Sequence, residues 1–452
     1  MNFLTELKKV ENQFIKHTQE LLQIKSVLDE SSKTEHAPLG QGIQTALEYM
    51  LELGRKEGFV VENVDNLAGH IEYGDGDEII GILCHLDVVP EGDGWMYPPY
   101  SATIKDGKIF ARGAIDDKGP TMAAFYALKM IKDLGIKLTK KVRIILGTDE
   151  ETSWRCVNHY FKKHATPTIG FAPDADFPLI YGEKGIMSID FERDFLEEII
   201  VSFKSGERYN VVPEKAVAMV NQNYKQKFME YLELHQLNGE VKKIDNLYQL
   251  TLYGKSAHAM QPEKGINAAT KLASFLSQFV TNPVVNFIED YFEEDTRLSR
   301  MGQKFKDPEM GDLTCNMAIV DIDTKKEKMG INLRYPVRWD KDKFLNQIKL
   351  KATEYGLNMT VKSDTPPHYV NPEDELVQTL MKSYVTYSQD TTNKPKTIGG
   401  GTYARAMKKA VAFGPMFPGR EDVVHQVNEH IHIEDLLKAT AIYADAIYNL
   451  GK

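Results

Sequence analysis

Imidazole and carboxylate side chains recur in short groups along this chain, in types and spacings that hold divalent metal ions. His85 and Asp87 stand together in Cys84-His85-Leu86-Asp87. Asp116 and Asp117 lie in Ala111-Arg112-Gly113-Ala114-Ile115-Asp116-Asp117-Lys118-Gly119. Asp149, Glu150 and Glu151 are consecutive, and Asp174 and Asp176 share Ala172-Pro173-Asp174-Ala175-Asp176. His425, His430 and His432 form a last group. Imidazole nitrogens and carboxylate oxygens at about 2.0 to 2.2 Å suit zinc, and the oxygen-rich balance also suits manganese. Each group alone has a plainer reading. A histidine after a strand is usually a hydrogen-bonded loop residue, an Asp-Glu-Glu run is usually solvated charge, and Asp116-Asp117 can cap the positive end of the next helix. Several such groups on one edge of one sheet are much harder to explain that way.

The convergence depends on the elements around them. Residues 79–84 read as a buried strand, and 142–146 and 168–172 as two more. Residues 118–134 put Met122, Phe125, Tyr126, Met130 and Leu134 close to helical spacing, and a further helix is expected to start near the capping candidates Thr152 and Ser153. Strand, helix, strand, helix, strand at these lengths specifies an α/β fold, a mainly parallel sheet with helices on both faces. Ligands of such a sheet bind beyond the carboxyl ends of its strands, where His85, Glu150, Glu151 and Asp174 fall. After Gly185 the pattern changes to shorter alternating segments at 217–220, 248–253, 314–320 and 330–334, with helices between them. The expected division is 1–185 for the first part of one domain, 186–371 for an inserted α+β domain of two halves, and 372–452 for the return. The returning part carries a strand at 410–413 and a closing helix at 433–450 with Leu436, Leu437, Ile442 and Ile447 on one face.

A chain of 452 residues is too long for a single core. Its 42% apolar and 27% charged residues are ordinary for a globular protein. The net charge of -10 argues against a nucleic-acid partner. The longest apolar runs are strand-length, so no membrane partner is expected. The first residues open an amphipathic helix without the apolar block of a signal peptide. Three cysteines, none in a Cys-x-x-Cys pair, give no disulfide framework and favour the cytoplasm.

Together with His425-Gln426-Val427-Asn428-Glu429, the four metal-type motifs resemble the dinuclear-metal aminoacylase/dipeptidase/carboxypeptidase family. Asp174-Ala175-Asp176-Phe177-Pro178, Gly399-Gly400-Gly401-Thr402 and Met416-Phe417-Pro418-Gly419-Arg420-Glu421-Asp422 look like its bacterial dipeptidase V (Xaa-His dipeptidase, carnosinase-like) branch. The likeness runs in order through nearly the whole chain. It implies two divalent metal ions, Zn²⁺ by family with Mn²⁺ as the alternative, bridged by Asp116. His85 and Asp174 would complete one site and Glu151 and His425 the other. Glu150 would be the general base, and Asp87 would hold the His85 ring. Two such cations lower the pKa of the water between them, and a carboxylate that binds no metal can pass its proton to the leaving amine. Which glutamate does which job comes from the family and not from spacing.

By the same resemblance the inserted domain is a lid. Gly254-Lys255-Ser256-Ala257-His258-Ala259 would supply His258 to polarise the scissile carbonyl. Tyr209-Asn210-Val211-Val212-Pro213 would place Asn210 near the oxyanion, and Asn332-Leu333-Arg334-Tyr335-Pro336 would give Arg334 for the substrate carboxylate. Gly400 and Gly401 would bring backbone amides near the substrate. Plainer readings are a turn at Asn210, an exposed strand charge at Arg334 and a tight turn at the glycines. The chain departs from the family at Ala111, where glycine is common, and at Ser153-Trp154, where Gly-Trp is usual. His430 also stands where an aromatic residue is usual, which brings it into view as a ligand beside His425. His425 keeps the family's offset to Asn428-Glu429 and is chosen.

The function so implied is hydrolysis of short peptides, chiefly dipeptides, by a metal-bridged water. The site would be complete only when the two domains close around the small peptide. A lid longer than the roughly 110 residues of related deacylases and carboxypeptidases implies an active monomer. An N-acyl-amino-acid deacylase or carboxypeptidase would share the metal core, and a catalytically inactive peptide-binding relative would share the fold. Glu150 argues against the last, since a binding module needs no base. No Gly-x-Gly-x-x-Gly follows the first strand, and no His-Glu-x-x-His or Gly-x-Ser-x-Gly occurs. Gly254-Lys255-Ser256 is not a P-loop, because Gln249 stands where glycine is required.

Overall fold

Unalternating apolar runs build the centre of the main sheet. In the computed structural model, which describes residues 2–194 and 199–452, the strands Lys141–Gly147, Ile79–His85, Ile169–Ala172 and Ala410–Ala412 lie side by side and parallel. They are almost entirely buried, as strands covered on both faces must be. Toward both edges the sheet turns antiparallel. Ala68–Tyr73 pairs with Lys141–Gly147 along one edge and with Val60–Val64 along the other, and Ile180–Glu183 pairs with Ala410–Ala412. The mainly parallel sheet is therefore a parallel centre with antiparallel margins.

Alternation along Ile79–His85 sends successive side chains to opposite faces. Ile80, Ile82 and Cys84 join one core with the helices Lys118–Asp133 and Ile433–Leu450, while Gly81 approaches Pro167 and Met407. Lys118–Asp133 is buried on nearly every side, because it packs against both the sheet and Ile433–Leu450. The helix Arg155–Lys163 starts differently from expectation. Trp154, not Thr152 or Ser153, holds the N-cap position, in the left-handed region at φ 55°. The capping acceptor is Asp149, whose carboxylate takes the Arg155 amide at 2.9 Å and its guanidinium at 2.7 and 3.0 Å.

The chain divides into two compact units, one of Met1–Gly182, Tyr369–Lys396 and Thr402–Lys452, the other of Glu183–His368 and Thr397–Gly401. The glycine segment Thr397–Gly401, which patterning leaves with 372–452, groups with the second unit. That unit is built on one antiparallel eight-stranded sheet. Its two four-stranded halves join where Ile200–Ser205 pairs with Thr314–Ile322, and a single apolar core serves both. Among the described residues no helix is long and apolar enough to cross a membrane.

Candidate metal centre

The carboxyl ends of the parallel strands carry the site. Ile79–His85 ends on His85, Lys141–Gly147 leads to Asp149, Glu150 and Glu151, and Ile169–Ala172 leads to Asp174. The loop before Lys118–Asp133 adds Asp116. His85 Nε2 lies 2.9 Å from Asp116 Oδ1 and 3.8 Å from Asp174 Oδ2. His425 Nε2 lies 2.9 Å from Asp116 Oδ2 and 3.1 Å from Glu151 Oε1. Each oxygen of one carboxylate thus meets a different histidine, the arrangement that a bridging ligand needs. Donor atoms of His85, Glu150 and Asp174 lie within 4.8 Å of one another, as do those of His85, Asp116 and Glu151. Tetrahedral zinc spaces its donors by about 3.3 Å, so this donor set fits a pair of divalent ions.

The electrostatics point the same way. Burial first, then the charge of Asp116, pushes the Asp174 carboxyl up to about 7. Burial likewise raises Glu150 and Glu151. It works against the Asp116 charge as well, yet hydrogen bonds from His425 and His85 hold that carboxyl low. Hydrogen bonds to Asp116 and Glu151 drive His425 up to about 10. So much negative charge in one buried place is relieved by cations, which become the largest local charges when bound.

Asp87 acts differently from expectation. The His85 ring meets its backbone carbonyl, at 3.0 Å from Nδ1, while the carboxylate stands 3.6 Å off. That carboxylate accepts the Glu150 amide at 3.1 Å and the Glu151 amide at 3.0 Å. Asp87 therefore sets the glutamate pair as well as the histidine. His430 stands away from the cluster, with Nε2 3.0 Å from Lys108 Nζ and Nδ1 2.9 Å from the Asn428 carbonyl. His425 is presented from a left-handed turn, at φ 61°. Asp176 pairs with Lys396 instead of joining the metal donors.

Three supporting groups escaped the sequence reading. Asp117, read there only as a candidate cap of the next helix, makes no side-chain cap bond. It accepts the His85 amide at 3.0 Å and the Thr121 hydroxyl at 3.2 Å. Glu429 accepts Arg112 at 2.7 Å and the amides of Gly113, Ile115 and Asp116 at 3.1, 3.0 and 3.3 Å. Tyr403 packs edge-on to His85 at 6.0 Å. Gly147 leaves room for it, since a Cβ there would lie 2.1 Å from the Tyr403 hydroxyl. Glu429 had a signal in the quoted motif, whereas nothing local links Tyr403 to His85.

In the second unit, Val211 bridges to His258, and the Ala259 amide donates to the Asn210 carbonyl at 2.9 Å. Arg334 is buried in its strand and not an exposed charge. Its Nε donates to Asn332 Oδ1 at 2.9 Å and its Nη1 to the Gly399 carbonyl at 3.3 Å. Burial, then the Arg334 charge, lowers the His258 pKa and favours the neutral ring. A Cβ on Gly400 would make ordinary contact with Ile398 at 3.8 Å, so crowding does not demand glycine there. Gly401 belongs to the same segment.

Comparison with known proteins identifies the lineage. The family profile described as Peptidase family M20/M25/M40 matches residues 81–449. The chain belongs to the M20/M25/M40 peptidase family. The Bacillus subtilis protein named "Putative dipeptidase YtjP" is 45% identical over 467 aligned residues, covering 100% of both chains. A Staphylococcus haemolyticus relative, "Putative dipeptidase SH1171", is 42% identical and covered to 98%, as is this chain. Among solved structures, human carnosine dipeptidase 1 is similar at TM-score 0.60 and 15% identity, over 99% of this chain and 98% of that one. The dipeptidase Dug1p of Saccharomyces cerevisiae is similar at TM-score 0.56 and 14% identity, over the same shares. These two structures establish the likeness of fold for an M20/M25/M40 chain, which is a peptidase.

Proposed function

We propose that this M20/M25/M40 peptidase is a dipeptidase working with two divalent metal ions, Zn²⁺ or Mn²⁺. The observation that carries the reading is the Asp116 carboxylate, whose two oxygens each lie 2.9 Å from a different histidine. His85, Asp174, Glu151 and His425 would complete the two donor sets. When bound, the ions would acidify the attacking water and polarise the scissile carbonyl. Glu150 takes the proton and returns it to the leaving amine, and burial raises its pKa toward the range in which a carboxylate can do both. Asp87 fixes Glu150 through its backbone amide. Neutral His258 donates to the carbonyl oxygen as charge develops there, with Asn210 as a second donor. Arg334 takes the terminal carboxylate through its planar fork, and Gly400 and Gly401 offer backbone amides to the peptide.

The names of the two relatives at 45% and 42% identity favour a dipeptidase over a deacylase or carboxypeptidase on the same core. We further place the protein in the cytoplasm, as an active monomer without a nucleic-acid partner. Cys84, Cys156 and Cys315 are all unpaired and buried, which suits a reducing compartment. Free and N-acetylated dipeptides, offered side by side to the metal-loaded protein, test the reading. Cleavage of the free dipeptides is expected; deacetylation without dipeptide cleavage would make the chain a deacylase.

A further inference from the structure

A second set of metal-type donors lies in the first unit, made by Glu62, His70 and His164, whose ligand atoms are within 4.8 Å of one another. None of the three belongs to the motifs that build the cluster around Asp116. Glu62 and His70 are direct partners across the antiparallel pair Val60–Val64 and Ala68–Tyr73, so their side chains share a face of the sheet edge. His164 is the residue that closes the helix Arg155–Lys163. The Glu62 carboxylate turns one oxygen to each ring, with Oε1 3.2 Å from His164 Nε2 and Oε2 3.9 Å from His70 Nε2.

We propose that Glu62, His70 and His164 form a separate divalent-metal site of the zinc class at the antiparallel margin of the sheet. Two imidazoles and one carboxylate are a common donor set for zinc with a fourth position left for water. Late first-row ions such as Cu²⁺ and Ni²⁺ compete for such nitrogen donors, whereas Mg²⁺ and Ca²⁺ do not. Donors around tetrahedral zinc are about 3.3 Å apart. The 3.2 Å separation matches that spacing, and the 3.9 Å one is too long for a hydrogen bond and would need a small shift of the exposed Glu62 side chain.

The rings are positioned in advance. His70 is buried, and its Nδ1 is 3.0 Å from the Tyr160 hydroxyl, which leaves Nε2 directed at Glu62. Metal at Nε2 would select the tautomer that donates from Nδ1 to Tyr160, the kind of outer partner that fixes ligating histidines. The same Tyr160 ring stacks on His164 at 4.8 Å and 24°, so one tyrosine sets both imidazoles. Arg143 Nη1 donates to the Tyr160 hydroxyl at 3.4 Å, and burial together with the Arg143 charge favours neutral His70, the form that binds metal. Occupied, the site would clip the edge hairpin to the end of the helix that follows Asp149, Glu150 and Glu151.

Anomalous diffraction at the zinc edge, from wild-type crystals equilibrated with Zn²⁺ alone, reads the site without any substitution. A peak between Glu62, His70 and His164 is expected. That peak with none at Asp116 would keep this site and remove the dinuclear reading, while peaks at Asp116 alone, or at neither place, would overturn this proposal. In solution, equilibrium dialysis against Zn²⁺ should give about three ions per chain for the wild type and about two for His164→Ala or His164→Gln. Dipeptide cleavage by these variants should be unchanged. Zinc content identical in the wild type and both variants would also overturn the site.

Discussion

Arg112 Nη1 and Glu429 Oε2 meet at 2.7 Å, with their side chains only 2% and 1% exposed. The same carboxylate gathers the amides of Gly113, Ile115 and Asp116, so one buried group shapes the loop that presents Asp116. Burial and the Asp116 charge push the Glu429 carboxyl up to about 7, against the pull of Arg112. Removing one partner of such a pair leaves the other buried and uncompensated, at a cost of about 3 to 5 kcal/mol.

Glu429→Ala should therefore lower stability by about that amount in urea denaturation. It should also weaken metal retention, although Glu429 is not among the metal donors. Glu429→Gln, which keeps acceptor and shape, should cost less. An unchanged denaturation midpoint for Glu429→Ala would show that the loop is held by something else.

This pair also marks the limit of what the sequence makes legible. Parallel strands announce themselves as apolar runs, and the positions just after them could be read as ligand-bearing ends, which is how His85, Glu150, Glu151 and Asp174 came into view. The antiparallel margin at Ala68–Tyr73 has no comparable signature, since its buried residues include Gly69 and His70 among the apolar ones and it ends on the partly exposed Glu72 and Tyr73. Arg112 and Glu429 are 317 positions apart, and no local period couples them. Asp87 shows a subtler limit. Its spacing from His85 was visible, but whether the backbone or the carboxylate reaches the ring depends on where the Glu150 and Glu151 amides come to rest.

Metal affinity should rise with pH. In the metal-free protein His425 is raised to about 10 by Asp116 and Glu151, so at neutral pH it holds a proton that metal must displace. One displaced proton makes affinity rise about tenfold per pH unit between roughly pH 6 and 8. Asp174, raised to about 7, adds to the slope at the acid end. Chelator competition at several pH values measures this, and a flat profile would remove the proton from His425.

His258→Ala should leave metal content unchanged and lower kcat by about 10² or more, the usual size for one donor to a developing oxyanion. On the proposed role of the neutral ring as donor, wild-type activity should fall when His258 becomes protonated at acid pH. Specific activity should not depend on protein concentration if the monomer is the working form. A His258→Ala protein with full kcat would take the residue out of the chemistry.

Arg334 gives the specificity prediction. A guanidinium that binds a terminal carboxylate bidentately should make C-terminal amidation of a dipeptide cost several-fold or more in kcat/KM, mostly through KM. Arg334→Lys keeps the charge and loses the fork, so it should narrow the gap between free and amidated substrates. Equal rates on both substrates in the wild type would assign the carboxylate to another group.

The most direct test of the metal-dependent mechanism is a paired measurement on Glu150→Gln. Metal content and dipeptide turnover are read on the same sample, beside the wild type and Glu151→Gln. On the proposed assignment Glu150→Gln removes a proton acceptor and no ligand, so it should retain as many divalent ions per chain as the wild type while kcat falls by about 10² to 10⁴. Glu151→Gln should lose metal instead. Full turnover by Glu150→Gln, or loss of metal from it while Glu151→Gln stays loaded, would contradict the assignment of base and ligand.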